Sequence, residues 1–437
     1  MVTRLAAVVG AVACLGLLAC GGDSISSSSG SLDSSFNPSS GYTLFRPPSF
    51  TNARGVETVL QPDGKIVVAG WGNNGANDDL LVARFSRDSS LDASFGTGGF
   101  VRYNASGDGN DRALGAALQS DGRILVTGYA MVRGSAKRDV IVLRLNTDGG
   151  FDATFGSGGV SIYSGAGDGT DIGFGVAVQQ DGKILVAGES GTATSQDGLV
   201  LRLLSDGSLD GTFANNGRFV FNGTGNELDR FFGARLQADG RIVAFGATAK
   251  AGKSDALMVR LLQTGALDAS FGSGGAVAYD GPAGQNDYAS DLALQADGRI
   301  VITGAVGTAE SFSVFVARYD PSGQPDSGFG SAGTVIYRSP ADRFFYGYSI
   351  ALQPDGRLLV AGTGSNGSNN DIFVMRFNGN GSLDEGFGSS GVALSNISSG
   401  REDAAYCLVL QSDGRIVVTG ASADSQGERL FVMRLLP

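Results

Sequence analysis

Apolar and polar positions run in blocks along this chain, and the blocks return. An apolar run such as Ala116-Ala117-Leu118 is followed by Gln119-Ser120-Asp121-Gly122-Arg123 and then by a second run, Ile124-Leu125-Val126-Thr127. Asp-Gly between apolar runs signals a hairpin, because glycine accepts the positive φ of a tight turn. A polar loop leads to a third run, Asp139-Val140-Ile141-Val142-Leu143-Arg144-Leu145. A second turn, Asn146-Thr147-Asp148-Gly149, then leads through Phe151-Asp152-Ala153-Thr154-Phe155-Gly156 to a fourth run, Val160-Ser161-Ile162-Tyr163. The unit predicts four strands, a to d.

The Gln-x-(x)-Asp-Gly-Lys/Arg core stands at Gln61, Gln119, Gln179, Gln237, Gln295, Gln353 and Gln411, at intervals of 58, 60, 58, 58, 58 and 58 residues. Strands a, b and c are apolar at successive rather than alternate positions, so both faces of each sheet must be covered. A four-stranded sheet covered on both faces and repeated seven times is an all-β, seven-bladed β-propeller. A β-helix needs a shorter period. The last unit stops at Arg434-Leu435-Leu436-Pro437, after its strand c. Leu32-Asp33-Ser34-Ser35-Phe36 and Tyr42-Thr43-Leu44-Phe45 precede the first strand a with no blade of their own. The N-terminal strand is therefore expected to complete the last blade and close the ring, removing its open edges. The domain organisation reads as a leader over 1–19, a Gly/Ser tether over 20–31 and a propeller over 32–437.

The pattern Gln-x-Asp-Gly-Lys-Ile-x-Val-Ala-Gly, then an aspartate and an arginine on strand c, then Leu-Asp-x-Ser-Phe-Gly-x-x-Gly, resembles the delta-60 repeat family of bacterial surface proteins. The resemblance spans 32–437. Pro325 replaces the leucine, Phe213-Ala214 breaks Phe-Gly, and Ser313 and Arg429 replace the strand-c aspartate. It implies propeller blades and no established activity. Upstream, one positive charge at Arg4, an apolar run from Leu5 to Leu18 and Leu17-Leu18-Ala19-Cys20 read as an export signal, too short for a comfortable membrane span. Its end looks like the lipobox of bacterial lipoproteins, which implies acylation of Cys20, with Gly21 to Gly30 as a flexible tether.

Charge and composition narrow the function classes. A formal net charge of −11 argues against nucleic acid. Histidine is absent, which removes the commonest general base and most zinc and transition-metal sites. Cys14 and Cys20 lie in the leader region, so Cys407 has no intramolecular partner and reads as a small buried residue.

Several residue sets are candidates for chemistry. Arg84, Arg144, Arg202, Arg260, Arg318, Arg376 and Arg434 recur with Asp33, Asp92, Asp152, Asp210, Asp268, Asp326 and Asp384. Sevenfold occurrence favours a structural ion pair in each blade over a site. Asp79, Asp139, Asp197, Asp255 and Asp371 open strand c, and Asp111, Asp171, Asp229, Asp287 and Asp403 lie eight residues before the glutamine; both sets fall on the rim opposite the Asp-Gly turns. Asp108 and Asp111, and Asp168 and Asp171, are weak calcium candidates, since neither pair has the length or ligand count of an EF-hand loop; no cofactor is otherwise expected. After strand b, Trp71 and Tyr129 offer a stacking surface for a sugar or aromatic ligand, with packed rim aromatics as the simpler reading. Glu57, Arg235 and Asp291 are charged positions on strand a, nearest the axis, where Arg235 and Asp291 are placed to pair. The expectation is a non-catalytic, lipid-anchored binding or scaffold module of the bacterial envelope, whose partner is an envelope protein or polysaccharide and which meets the membrane only through its lipid. A polysaccharide-acting enzyme, working through carboxylates or through Tyr and Arg, and a calcium-dependent adhesin are the alternatives.

Overall fold

The computed structural model describes residues 28–437 apart from 39, 106–108, 132–136, 166–168, 192–194, 224–226, 251, 282–284, 309–310 and 340–342. These residues form 28 strands in seven four-stranded antiparallel sheets arranged as a ring. Blade 1 runs through Asn52–Leu60, Ile66–Asn73, Asp78–Phe85 and Phe100–Tyr103 in spatial order, innermost strand first. Blades 2 to 6 repeat that order over 111–163, 171–221, 229–279, 286–337 and 345–395. The second and third strands of a blade are buried on both faces, and each interface between neighbouring sheets is an apolar cluster. In Asp78–Phe85 every residue is buried, which is why the strand carries no alternation.

Blade 7 is built from both ends of the chain. Its three inner strands are Asp403–Leu410, Ile416–Asp424 and Gly427–Leu435, and Tyr42–Phe45 pairs with the last of them in the register Tyr42↔Met433 to Phe45↔Leu430. Closure by the N-terminal strand is thus as the sequence predicts. The chain docks slightly upstream as well: the Gly30 amide donates to the Leu436 carbonyl and the Gly388 amide to the Ser29 carbonyl.

Each blade carries one fastening built from the repeated residues. The strand-c arginine donates through Nε to the repeated aspartate at 2.7–2.8 Å, as in Arg84–Asp92, Arg260–Asp268 and, across the closure, Arg434–Asp33. Its guanidinium lies 4.4–4.7 Å from the ring centre of the repeated phenylalanine, from Phe95 to Phe36. The Lys or Arg of the Asp-Gly turn supplies a second cation to the same carboxylate, at 2.8–3.8 Å. In six blades the arginine also donates to a backbone carbonyl of the following blade, Thr147 for Arg84 and Arg87 for Arg434. The recurring pairs are therefore structural.

The innermost strands share one irregularity. Each has a β-bulge at the same point, between Gly55 and Glu57 in blade 1 and between Ala405 and Cys407 in blade 7. The repeated glycine of strand b makes room for it. At Gly70, Gly128, Gly304 or Gly420 a Cβ would run into the carbonyl oxygen of the inner strand just before the bulge. A bulge re-aims side chains, and here the re-aimed residue faces the ring axis.

Burial alone would raise the Asp33 carboxyl, but the Ser35 hydroxyl and amide, then Arg434 and Arg415, outweigh it and hold it at about 2. The other six fastening aspartates are shifted in the same direction. A carboxyl held lower in the folded than in the unfolded chain stabilises fully above about pH 4, and that stability is lost as pH falls through the folded value. Unfolding monitored by circular dichroism should thus show no loss from these groups between pH 5 and 7 and a steep loss below about pH 4. Asp33→Ala leaves the buried Arg434 without its carboxylate and Arg415 with Asp413 alone, and is expected to cost about 3 kcal/mol in denaturant titration. Asp413→Ala, at an exposed pair with Arg415, is expected to cost less than about 1 kcal/mol.

Candidate functional site

The seven inner strands enclose a central cavity of about 490 Å³, within the ~300–1,000 Å³ range of small-ligand sites. Its lining is set by the bulge. The re-aimed residues are Val56, Leu114, Phe174, Phe232, Ser290, Tyr348 and Tyr406, all on the cavity wall. The scaffold repeats, but this position does not.

Tyrosines gather on the side of blades 5 to 7. Tyr346 and Tyr348, the latter turned to the axis by the bulge, stack with ring centres 4.5 Å apart, and Tyr406 meets Tyr348 edge-on at 5.3 Å. Tyr346 also packs on Phe312, which touches Tyr288. Ser290 Oγ donates to the Tyr346 hydroxyl at 3.5 Å, and Arg54 Nη1 to the Tyr406 hydroxyl at 3.4 Å. Burial pushes Tyr346 up to about 12 and raises Tyr348 and Tyr406, so all three are neutral phenols with a donor proton at neutral pH. Across the ring, Phe174 and Phe232 meet edge-on at 5.6 Å.

Below the tyrosines lie the charged inner-strand residues. Arg235 Nη2 donates to Asp291 Oδ1 at 2.6 Å, and Asp291 Oδ2 accepts from the Ile350 amide at 3.0 Å and from Ser349 Oγ at 3.2 Å. Among the described residues, Glu57 forms no ion pair. Its Oε1 accepts from the Thr58 amide and from Cys407 Sγ, both at 3.0 Å. Burial raises the Glu57 carboxyl above the usual range despite those bonds and the more distant Arg235, and Asp291 pushes it further. Burial and then Glu57 raise the Cys407 thiol well above its ordinary value, so it is a proton donor rather than a nucleophile. Two unlike carboxyls therefore line one cavity: one tends to keep its proton and the other is ion-paired.

Trp71 and Tyr129 do not form the open stacking surface weighed for them. They are 9% and 4% exposed, and arginines cover their faces. Arg112 lies 4.1 Å and Arg54 5.0 Å from the Trp71 ring centre, and Arg138 lies 4.6 Å from that of Tyr129. Arg112 is held by Asp78, Arg54 by Glu428, and Arg230 by the buried Glu189. The rim arginines are thus spoken for by neighbouring blades. Of the calcium candidates, Asp108 and Asp168 lie outside the described residues, as does Cys20. Asp111 accepts from the Ala105 and Met131 amides and Asp171 from the Gly165 amide, which makes them caps for the strand-d to strand-a loops. The same bond recurs from Gly223 to Asp229 and from Gly281 to Asp287.

Comparison with known proteins follows the fold. The solved structure of the polysaccharide lyase Uly1 matches with a TM-score of 0.52 at 10% identity, covering 87% of this chain and 90% of that one. An ulvan lyase of polysaccharide lyase family PL25 matches with a TM-score of 0.49 at 10% identity over 89% and 95% of the two chains. The α-L-arabinofuranosidase Arb93A from Fusarium graminearum gives 0.45 at 11% identity over 74% and 93%. At such identities the likeness is one of fold. It nevertheless corrects the expectation of a non-enzyme, which rested on sevenfold repetition and on no carboxylate pair standing out from the repeated set: Uly1 has this fold and is a lyase. The inner strands show the same weakness in that expectation, since Glu57 and Asp291 stand apart from the repeated carboxylates. No curated protein matches the chain. The family model described as a domain of unknown function (DUF5122) β-propeller matches residues 61–95, 119–155, 179–213, 237–271, 295–329, 353–387 and 411–437. The chain belongs to this β-propeller family.

Proposed function

We propose that the protein cleaves glycosidic bonds of a polysaccharide bound in the central cavity. The observation that carries this reading is the arc of Tyr346, Tyr348 and Tyr406 over a cavity that also holds Glu57 and Asp291. Sugar rings present apolar C–H faces that stack on phenol rings, while the phenol hydroxyls bond the sugar's own. A carboxyl kept neutral by burial and a second one beside a cation suit the acid and base of glycoside chemistry. Glu57, favoured as its neutral form, gives its proton to the leaving glycosidic oxygen. Asp291, ion-paired to Arg235, takes the proton of the water whose oxygen adds to the anomeric carbon. The glycosidic C–O bond breaks as the new C–O bond forms, Glu57's proton leaves on the released hydroxyl and Asp291 keeps the water's proton, and exchange with solvent resets the pair. Export through the leader and anchoring by acylated Cys20 complete the proposal and place the site among envelope or external polysaccharides.

The test is a panel of neutral and uronate-containing polysaccharides, read by new reducing ends and by the shift of the thermal transition. A substrate is expected whose cleavage falls at least about 100-fold in Glu57→Gln, a change that preserves shape and removes the acid. Tyr348→Ala is expected to weaken binding by about tenfold. Absence of both cleavage and thermal shift across the panel sinks the proposal, as does a Glu57→Gln variant that cleaves at the parental rate. For the anchor, Cys20→Ser should move the expressed protein from the detergent phase to the aqueous phase. An unchanged partition would remove acylation from the proposal.

A further inference from the structure

Five of the seven blade junctions place two aspartates together on the rim where the inner strands begin, one opening strand c and one opening the next inner strand. They are Asp79 and Asp111, Asp139 and Asp171, Asp197 and Asp229, Asp255 and Asp287, and Asp371 and Asp403. In four of these junctions the residue after strand d is Asn104, Ser164, Asn222 or Asn396, each able to donate a hydrogen bond, and Ser164 bonds Asp139. The two junctions without the pair have Arg338 and Arg46 there.

The junction of blades 4 and 5 departs from the other four at one position and shares a second departure with the first junction. Asp280 stands where the others have a donor. Val306 pairs opposite Asp287 and Ala130 opposite Asp111, where Ser190, Thr248 and Ser422 pair opposite Asp171, Asp229 and Asp403. The Thr248 hydroxyl bonds Asp229, and a valine cannot do the same for Asp287. One carboxylate oxygen each from Asp255, Asp280 and Asp287 thus lies within 4.8 Å of the other two. Asp287 is 1% exposed. Its Oδ2 accepts from the Gly281 amide at 2.6 Å, and among the described residues its Oδ1 has no hydrogen-bond partner, as holds for Oδ1 of Asp171, Asp229 and Asp403; only at Asp287 does a third acid stand beside it. Lys250 acts on Asp255 without forming an ion pair with it. A third acid thus stands where the other four junctions have a donor, and Val306 offers Asp287 no hydroxyl to offset it.

We propose that Asp255, Asp280 and Asp287 bind a calcium ion that ties blade 4 to blade 5. Calcium takes carboxylate oxygens at roughly 2.4 Å, so two ligands on opposite sides of one ion stand about 4.8 Å apart at most. Three carboxylate oxygens within that limit can share one ion. Magnesium keeps more of its water and demands a near-ideal octahedron. Water and backbone carbonyls supply the remaining ligands in such sites.

The full chain, stripped of metal at pH 7.5, is melted with and without calcium, and titrated with terbium while Tyr279, next in sequence to Asp280, is excited. Calcium at a hundredfold excess over its dissociation constant should raise the midpoint by about 3 °C. Terbium should emit and be displaced by calcium. Asp280→Asn restores the neutral donor of Asn104 and Asn222. It should lose both responses yet melt, without calcium, at or above the parental temperature. The proposal is overturned if calcium leaves the parent midpoint unmoved, if Asp280→Asn keeps the full shift, or if magnesium matches calcium at equal concentration.

Discussion

Everything in this ring depends on one arrangement: a strand-c guanidinium clasped by a carboxylate, resting on a phenylalanine and reaching a carbonyl of the next blade. A propeller blade has no local reason to stay beside its neighbour except buried apolar area, which is non-directional. The guanidinium adds direction. Its planar fork reads the aspartate on its own blade and the turn on the following one, so each blade's internal turn and its spacing are fixed by the same side chain. The charged turn residue closes the carboxylate from outside, which explains why Asp-Gly is followed by Lys or Arg in every unit. Burying such a charge without its carboxylate would be costly, so the segment carrying Asp33 cannot be an ornament. It completes the last clasp.

Much of this was legible in the sequence because repetition turns packing into pattern. The strand order, the blade number, the closure and the structural role of the Arg–Asp pairs all follow from where apolar runs and turn residues recur. The site was legible only in part. Glu57, Arg235 and Asp291 stand out as charges in an apolar strand, and the Arg235–Asp291 pair forms as its placement suggested. Trp71 and Tyr129 misled because a position after strand b looks exposed, and nothing local announces that Arg112 and Arg138 will lie across them. The tyrosine arc was missed for a different reason. Tyr348 and Tyr406 sit on the bulge, where the two-residue alternation of a strand breaks, so their direction cannot be read from their neighbours. Aligning the seven units on the glutamine shows the signal: the residue five positions earlier passes from Val56 and Leu114 to Tyr348 and Tyr406.

The repeated glycine of strand b therefore links architecture to chemistry. Without a Cβ it admits the carbonyl that the bulge displaces, and the bulge presents one free choice of side chain per blade to the axis. Seven identical frames thus carry seven independent settings at the centre. Variation there costs the frame little, because the fastenings lie at the opposite end of each blade. Asp280 marks another such departure, on the rim rather than at the axis.

The closure also gives the ring a polarity. The segment before Tyr42–Phe45 takes the place of a strand-c to strand-d loop, and its Ser29 and Gly30 bond Gly388 and Leu436 on the rim of the Asp-Gly turns. Tyr346 begins its strand at the other rim. The described chain thus enters the ring at Ser28 from the underside, opposite the aromatic mouth. Tension applied at that end would draw along the Tyr42–Phe45 pairing at the periphery and leave the mouth facing away from its source.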